Sequence, residues 1–274
     1  MKKSNAALAI LGTGNIGRAM AVGLAAAGRF APADLILTRR KAELLEDLAD
    51  QGFRTQQDNR DAVRHADLVM IAVEPQQLDA LLQEIAPELD AKRHVLISVV
   101  SGASIDAILR QLGKELPVVR AMPNTAVALG QSMTCLAVNS DRDDVREQAI
   151  SIFDTVGRTL VIDEELIVPA TALCACGIAF FLRAVRSASQ GGIEIGFHPE
   201  EALTMAAQTA LGAASLVLRK GFHPEREIDS VTTPRGCTIA GLNEMEHQGF
   251  SSAMIKGIVT SWRKADSLYE SASS

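Results

Sequence analysis

Short apolar runs alternate with amphipathic segments over about the first 160 residues of the chain. Runs rich in Val, Ile, Leu and Thr predict strands at residues 6–11, 35–38, 68–73, 95–99, 118–121, 134–138 and 159–161. Between them, apolar residues that recur every three or four positions predict helices at residues 16–27, 41–51, 76–85, 105–112 and 143–155. This alternation predicts a doubly wound α/β domain, in which helices cover both faces of a parallel sheet.

A helical region follows the predicted sheet. The strand pattern stops after residue 161, the acidic segment 163–165 marks the change, and Ala, Leu, Met and Glu then dominate up to a Ser-rich tail. Pro199, Pro224 and Pro234 stand where helices are expected to begin, because the missing N–H of proline costs little at that position. We expect four or five helices, and two domains made of residues 1–162 and 163–274.

The predicted helices carry many small residues, as at 202–207 and 211–214, which allow close approach between helices. A small helical domain has little core of its own, so we expect it to form a homodimer or a higher homo-oligomer. Residues 166–182 carry no charge and approach the length of a membrane-spanning helix. Because Pro169 and Thr171 interrupt this stretch and Arg183 ends it, we interpret it as a buried helix and expect no membrane.

Composition narrows the class of partner. The chain of 274 residues is 47% hydrophobic and 22% charged, which is ordinary for a soluble globular protein. Its net charge of −6 comes without a basic block, which disfavours nucleic acids and anionic membrane surfaces. We therefore expect a small-molecule partner.

The cysteines and histidines suggest neither a metal site nor a catalytic triad. Cys135, Cys174, Cys176 and Cys237 match no disulfide framework, and a lone C-x-C pair offers only two metal ligands. We interpret Cys174 and Cys176 as small packing residues and the thiols as reduced. With no signal-peptide cleavage site after Met1-Lys2-Lys3, a cytoplasmic location is expected. The five histidines fall in no triad-like arrangement.

A dinucleotide fingerprint follows the first predicted strand. Gly12, Gly14 and Gly17 form G-x-G-x-x-G between that strand and a helix, the context that this motif requires. The first glycine allows a tight turn, the second lets a pyrophosphate approach the backbone, and the third lets the helix pack closely on the strand. The pyrophosphate then lies at a helix N-terminus. A Rossmann domain followed by an all-α dimerisation domain is therefore predicted.

The end of the second strand indicates which cofactor binds. An NAD-preferring fold usually places Asp or Glu there, whereas this chain has Thr38, Arg39 and Arg40. Guanidinium groups form paired, charge-assisted hydrogen bonds to phosphate oxygens, so this segment suits the 2′-phosphate of NADP(H). NAD(H) is the alternative cofactor, and Arg40 could instead face water.

Segments along nearly the whole chain resemble the pyrroline-5-carboxylate reductase family. The matching segments are residues 12–17 (GTGNIG), Asn59, residues 72–75 (AVEP), 120–125 (RAMPNT), 206–209 (AAQT), 211–214 (LGAA) and 231–241 (VTTPRGCTIAG). The resemblance implies reduction of 1-pyrroline-5-carboxylate to L-proline by hydride transfer from NADPH. Together with the fingerprint, it implies a cofactor site formed by Gly12, Gly14, Asn15, Ile16, Gly17, Thr38, Arg39, Arg40, Asn59, Ala72, Val73, Glu74, Pro75 and Met122. It implies a catalytic and substrate site formed by Asn124, Thr233, Arg235, Gly236, Cys237 and Thr238.

In this site the N-terminus of a helix beginning near Pro234 would accept the substrate carboxylate, and Thr238 would bind the ring nitrogen. The alternative is that Thr233 or Thr238 only caps that helix. The chain also departs from the family's pattern: Arg235 replaces a glycine, Cys237 a threonine, Glu74 a lysine, and Cys174 and Cys176 two serines. Two further functions therefore stay open, a reductase of a related imino acid and an NADPH-binding regulator without turnover.

Overall fold

The computed structural model describes residues 7–140 and 142–266, which form two compact units. The first unit contains the described chain up to Ala175 and again from Ser261, and the second contains Cys176–Thr260. The predicted boundary at residues 162 and 163 stays a prediction. The ends of the predicted domains, and residue 6 of the first predicted strand, lie outside the described residues.

The first unit is built on an eight-stranded sheet with the order β3-β2-β1-β4-β5-β6-β7-β8. The strands are β1 Leu8–Leu11, β2 Leu35–Thr38, β3 Arg54–Gln56, β4 Leu68–Ile71, β5 Val95–Ser98, β6 Val118–Met122, β7 Ser132–Val138 and β8 Gly157–Val161. All neighbours are parallel except β6 and β7, which are antiparallel. The connection between those two strands spans residues 123–131, shorter than the dozen or so residues that a parallel crossover needs.

Helices cover both faces of this sheet. They are α1 Asn15–Ala26, α2 Glu46–Asp50, α3 Asn59–Arg64, α4 Pro75–Ile85, α5 Ile105–Leu112 and α6 Asp143–Phe153. Successive residues of β1 point to opposite faces: Leu8 and Ile10 belong to one apolar cluster, whereas Ala9 and Leu11 belong to another. Burial on both faces explains why the parallel strands appear in the sequence as continuous apolar runs.

The sequence pattern predicted this fold class and its buried strands, and missed two short elements. β3 has the sequence Arg54-Thr55-Gln56 and lies at the sheet edge, so it lacks the apolar run of a central strand. α3 has only six residues and begins where the Asp58 carboxylate accepts the N–H of Asp61. The helix predicted at 41–51 is divided into a 3-10 turn, Ala42–Leu45, and α2.

The described part of the C-terminal region is helical. It contains α7 Ile167–Ala170, a π-helical turn Thr171–Ala175, α8 Gly177–Glu194, α9 Pro199–Lys220, α10 Pro224–Ser230, α11 Cys237–His247 and α12 Phe250–Asp266. Pro199 and Pro224 begin helices as predicted, whereas Pro234 does not. α11 begins three residues later because Arg235 adopts a left-handed φ of +59°, which a right-handed helix excludes.

Residues 166–182 are not the buried helix that the sequence predicted. Leu173, Phe181 and Leu182 are each more than half exposed in this single chain. Within the second unit α8 packs on α9 through small residues, and a Cβ added at Gly192 would lie 3.0 Å from the Cβ of Ala202. By length and composition alone, helical segments Glu164–Glu194 and Pro199–Arg219 could each cross a membrane. The apolar side chains of these helices are therefore exposed to solvent in the single chain.

Candidate active site

The loop after β1 makes a tight turn against the loop after β4. Gly12 has a φ of +93°, and a Cβ there would lie 2.6 Å from Cγ1 of Val73 and 2.8 Å from the carbonyl oxygen of Ala72. A Cβ at Gly17 would lie 2.5 Å from the carbonyl oxygen of Gly12. Glycine is therefore required at position 12 by the positive φ and by close packing, and at position 17 by close packing. Because β1 and β4 are neighbours, this turn lies where the strand order reverses, the usual place for a dinucleotide.

The same loop leaves the first turn of α1 open to a ligand. The N–H groups of Gly12 and Thr13 donate to the carbonyl oxygen of Thr38 at 3.2 and 2.9 Å. By contrast, Gly14 provides no side-chain cap. The N–H groups of Asn15, Ile16 and Gly17 lack intrahelical partners, as they do in the first turn of any helix. A Cβ on Gly14 would meet nothing within 4 Å. The loop can therefore hold an anion against the N-terminus of α1.

Arg39 and Arg40 occupy different environments at the end of β2. Arg39 is half-buried, and its Nη1 donates to the carbonyl oxygen of Thr13 at 3.0 Å, so its guanidinium lies against the glycine loop. Arg40 is exposed. One guanidinium is thus held beside the predicted ribose position, whereas the other extends into solvent.

A chain of hydrogen bonds links Thr38, at the end of β2, to Asn59 and Glu84. The hydroxyl of Thr38 donates to Oδ1 of Asn59 at 2.6 Å, and the Nδ2 group of Asn59 donates to both carboxylate oxygens of Glu84, at 3.2 and 3.1 Å. Thr38 is buried, and its hydroxyl proton already forms the hydrogen bond to Asn59. Thr38 therefore supports the loop and does not offer a donor to a phosphate. Sequence reasoning missed Glu84, since nothing in the pattern of α4 marks it.

The predicted segment after β4 lies beside the glycine loop. Ala72 is buried and its N–H donates to the carbonyl oxygen of Leu11 at 2.8 Å. Val73 packs against Gly12, while Glu74 is exposed and precedes Pro75, the first residue of α4. The side chain that replaces the family's lysine therefore faces solvent in this chain.

Met122 and Asn124 lie at the same sheet edge, three strands from β1, or about 14 Å at the usual strand spacing. Both are buried. Oδ1 of Asn124 accepts the N–H of Ala126 at 3.0 Å, and its Nδ2 group donates to the carbonyl oxygen of Cys174 at 3.3 Å. Its backbone N–H donates to Oγ of Ser132 at 3.1 Å. Asn124 therefore joins the end of β6 to the π-helical turn.

An ion pair between Arg120 and Glu164 supports the end of β6, next to the segment that contains Asn124. Nη1 of Arg120 on β6 donates to Oε1 of Glu164 at 2.9 Å, and the same oxygen accepts the N–H of Ile105 at 2.7 Å. The Arg120 side chain is only 4% exposed, whereas that of Glu164 is 32% exposed. Burial lowers the pKa of Arg120, and the Glu164 carboxylate opposes this effect. The pair thereby links β6, the start of α5 and the segment around Glu164 that follows β8.

The predicted substrate loop belongs to the second unit. Gly236 is the N-cap of α11 without a side-chain cap bond, so neither Thr233 nor Thr238 caps the helix. Cys237 and Thr238 are exposed in its first turn. A Cβ at Gly236 would lie 2.5 Å from Oγ1 of Thr233. The N-terminus of α11 therefore keeps N–H groups available for an anion, beginning at Cys237 and not at Pro234.

Arg235 adopts an unusual backbone conformation beside this helix start. Among the described residues other than glycine, it alone has a positive φ, at +59°. A left-handed conformation disfavours residues with a Cβ by about 1–2 kcal/mol. Its side chain is exposed. Residues held in such conformations concentrate at binding and catalytic sites, so this position is a candidate for a role in recognition.

The described cysteines differ in burial, and the packing of Cys174 against an apolar cluster agrees with its interpretation as a small packing residue. Cys174 and Cys176 are half-buried, and Cys237 is exposed. Cys135 belongs to the apolar cluster of the first unit against which Cys174 packs, although the two residues are far apart in the sequence. No group of three or more His, Cys, Asp or Glu side chains that could hold a metal ion occurs in the described part of the chain.

Comparison with known proteins gives two family matches and full-length relatives. Residues 164–268 match the family described as "Pyrroline-5-carboxylate reductase dimerisation", and residues 7–102 match "NADP oxidoreductase coenzyme F420-dependent". Pyrroline-5-carboxylate reductase 2 of Dictyostelium discoideum is 46% identical over 96% of this chain and 93% of its own length. The chain belongs to the pyrroline-5-carboxylate reductase family. The resemblance inferred from the motifs is thereby confirmed.

Another member of the pyrroline-5-carboxylate reductase family is more similar but much longer. Pyrroline-5-carboxylate reductase 1 of Dictyostelium discoideum is 54% identical over 98% of this chain, which spans only about half, 51%, of that relative. The crystal structure of Plasmodium falciparum pyrroline carboxylate reductase with NADP bound covers 97% of this chain and 98% of its own, with a TM-score of 0.89 and 24% identity. This likeness supports the family's fold, a Rossmann domain followed by a helical domain.

Proposed function

We propose that the protein reduces 1-pyrroline-5-carboxylate to L-proline by hydride transfer from NADPH. The observation that carries this proposal is the full-length similarity, at 46% identity, to a relative named pyrroline-5-carboxylate reductase 2. Retention of the glycine loop, Asn124 and Thr238 fits an enzyme better than a regulator without turnover.

The first unit supplies the features that NADP(H) needs. The open first turn of α1 suits a pyrophosphate, and the half-buried guanidinium of Arg39 suits a 2′-phosphate. The match of residues 7–102 to an NADP oxidoreductase family supports this cofactor. NAD(H) is the weaker alternative, since β2 ends without an acidic residue. When bound, the cofactor supplies the hydride.

The second unit supplies a site for the substrate carboxylate. The first-turn N–H groups of α11, beginning at Cys237, and the positive end of the helix dipole bind the carboxylate. The hydroxyl oxygen of Thr238 accepts a hydrogen bond from the protonated ring nitrogen, which stabilises the imine in its protonated, electrophilic form. Asn124 is a positioning residue, because both ends of its amide bind within the chain and hold the segment after β6.

A protonated cyclic imine needs little further activation. Hydride adds to its carbon, the C=N double bond becomes a single bond, and the nitrogen keeps its proton as an amine. Orientation of the reacting groups can supply most of the acceleration, because well-oriented pairs reach effective molarities on the order of 10⁵ M or more.

Arg235 favours a second candidate, reduction of a related imino acid with an additional acidic group. The family has glycine where this chain accepts a left-handed arginine at φ +59°. A guanidinium beside a carboxylate-binding helix start can form paired hydrogen bonds with a second carboxylate. The presence of an arginine at this strained position is the observation that favours this candidate.

The test is NADPH oxidation by purified protein with pyrroline-5-carboxylate, a dicarboxylic cyclic imine and a cyclic imine without a carboxylate. We expect Arg235→Gly to raise the preference for pyrroline-5-carboxylate over the dicarboxylic imine at least tenfold, measured as a ratio of kcat/KM values, since a hydrogen bond to a charged partner contributes ~1.5–3 kcal/mol.

The matched variant Arg235→Ala removes the guanidinium and keeps a Cβ at the strained position. It should shift the preference as far as Arg235→Gly does, whereas only the glycine variant relieves the left-handed strain. An unchanged ratio in both variants would contradict a role in specificity. NADPH binding without oxidation of any imine would contradict the proposed activity and favour the regulator.

We propose that the helical region forms the homodimer, or the core of a higher oligomer. Phe181, Leu182, Leu211 and Leu218 are each more than half exposed, and residues 164–268 match a dimerisation family. Burial against a second copy removes this apolar surface from water. A soluble cytoplasmic enzyme, with reduced thiols, fits this arrangement.

Leu211→Glu should weaken the dimer at least tenfold, because a carboxylate buried in an apolar interface loses its hydration. Sedimentation velocity measures the change. The control Gln83→Glu adds the same charge to an exposed position on α4, in the first unit, and should leave the dimer intact. Equal dimer affinities for Leu211→Glu and wild type would place the interface elsewhere.

A further inference from the structure

The β2–α2 segment, residues 39–47, carries Arg39 and Arg40 and runs from the end of β2 into α2. Residues 40–44 are each exposed or half-buried, and the next fully buried side chain is that of Leu45. A stretch with little apolar burial opens more easily than the core, so its conformation depends on polar contacts. The contacts that hold this segment therefore decide how it presents its arginines.

Arg18, the fourth residue of α1, holds the far end of the β2–α2 segment. Its Nη1 donates to Oδ2 of Asp47, and its Nη2 donates to Oδ1 of Asp47 at 2.7 Å and to the carbonyl oxygen of Leu44 at 3.0 Å. The hydrogen bond to Asp47 raises the pKa of Arg18, and the same bond lowers the pKa of Asp47. Both groups are therefore charged at neutral pH, and a paired guanidinium–carboxylate contact fixes their relative geometry.

The near end of the segment is held against the same part of the chain. Nη1 of Arg39 donates to the carbonyl oxygen of Thr13 at 3.0 Å, and its backbone N–H donates to the carbonyl oxygen of Gln56 at 3.2 Å. Thr13 lies in the glycine loop just before α1, and Arg18 lies near the start of that helix. Both ends of the segment are thus fixed beside the helix N-terminus at which the pyrophosphate is proposed to bind.

The contact between Arg18 and Asp47 is suited to positioning more than to stabilising the fold. The two side chains are 36% and 57% exposed, and solvent-exposed ion pairs contribute little to the free energy of unfolding. The same contact nevertheless restricts the segment before any ligand arrives. A binding site that is already ordered does not lose affinity to the entropy of ordering.

We propose that Arg18 is a positioning residue for cofactor choice, which with Asp47 fixes the β2–α2 segment so that Arg39 and Arg40 meet the 2′-phosphate of NADP(H). The inference rests on the proposed function and its cofactor. Without the contact, binding has to order the segment first, and that cost lowers the affinity. Because the 2′-phosphate is the part of NADPH that NADH lacks, the loss falls on NADPH.

Direct contact of Arg18 with the 2′-phosphate is the competing role, and the variant Asp47→Asn separates the two. If Arg18 bound the phosphate itself, Asp47 would compete for the guanidinium, and Asp47→Asn would strengthen NADPH binding. If Arg18 acts through the segment, Asp47→Asn weakens NADPH binding. It then adds little to Arg18→Ala, because both changes break the same contact.

Fluorescence titration of the purified full-length protein with NADPH and with NADH gives the dissociation constants without any imine. We expect Arg18→Ala and Asp47→Asn each to raise the constant for NADPH about threefold to tenfold, the range for ordering one or a few side chains, and that for NADH less than about twofold. The double variant should match the single variants. Arg18→Lys keeps the charge without the paired donors and should lie between Arg18→Ala and wild type.

Arg142→Ala is the matched control. It removes another exposed, paired contact, in which Arg142 donates to both carboxylate oxygens of Asp144 at the start of α6. Neither dissociation constant should change.

Limited digestion with trypsin reports on the segment itself, because Arg39, Arg40 and Lys41 supply cleavage sites within it. Without cofactor, Arg18→Ala and Asp47→Asn should be cut there at least about threefold faster than wild type, since cleavage follows the population of the open segment. Arg142→Ala should be cut as slowly as wild type. NADPH should protect these sites better than NADH does.

The activity assay adds a separation of KM from kcat. Arg18→Ala should raise KM for NADPH and leave kcat nearly unchanged, because the 2′-phosphate lies on the adenosine end of the cofactor, away from the nicotinamide. Equal losses of NADPH and NADH affinity, an unchanged constant for NADPH, or tighter NADPH binding in Asp47→Asn would overturn the proposal. A wild type without preference for NADPH would overturn it together with the proposed cofactor. If wild-type protein reduces no imine, the proposed reaction fails by itself, whereas titration and digestion still decide the role of Arg18.

Discussion

Replacing Glu164 with Ala should lower the free energy of unfolding by about 3 kcal/mol or more. The change leaves the Arg120 guanidinium, 4% exposed, without its anion and removes the acceptor of the Ile105 N–H. Breaking a buried ion pair from one side typically costs ~3–5 kcal/mol, because a charge stays buried without compensation. Urea denaturation of the purified protein, with comparison of midpoints and slopes, measures the effect.

Two variants separate the ion pair from a general effect of mutation. Glu164→Gln keeps an acceptor for both donors and removes only the charge, so its loss should be smaller than that of Glu164→Ala. Glu165→Ala alters the exposed neighbour and should change the free energy by no more than about 0.5 kcal/mol. Similar losses for Glu164→Ala and Glu165→Ala would show that the Arg120 pair contributes little.

Arg39→Ala combined with Arg40→Ala should weaken NADPH binding several-fold to a hundredfold while largely sparing NADH. The expected loss follows from ~1.5–3 kcal/mol for a hydrogen bond to a charged partner, here the 2′-phosphate that NADH lacks. Fluorescence titration of each variant with both cofactors gives the two dissociation constants.

The structure further predicts which arginine contributes more. Arg39 is half-buried and held against the carbonyl oxygen of Thr13, whereas Arg40 is exposed. Arg39→Ala alone should therefore account for most of the loss, and Arg40→Ala serves as the matched control. Arg39→Lys keeps the charge without the paired donors and should lie between them. Equal losses of NADPH and NADH affinity would reject a role in binding the 2′-phosphate.

The sequence was sufficient to predict the fold class, the central strands and the family. The strands of the sheet core are apolar on both faces, so each one appears as a continuous hydrophobic run. Gly12 and Gly17 could be predicted as turn and packing residues because no other residue fits their positions. Short polar elements could not be found: β3 and α3 bury few side chains and depend on neighbours for their stability.

Only the tertiary structure decided which distant residues meet. The pairs Arg120–Glu164 and Asn59–Glu84 are contacts set by the order of strands in the sheet, which no local pattern encodes. The start of α11 was also misplaced, because a proline marks an allowed helix start but cannot reveal that Arg235 turns left-handed. Local propensities thus determined the elements and the glycine turns, whereas long-range packing determined the polar contacts, since their energy depends on burial that exists only in the folded chain.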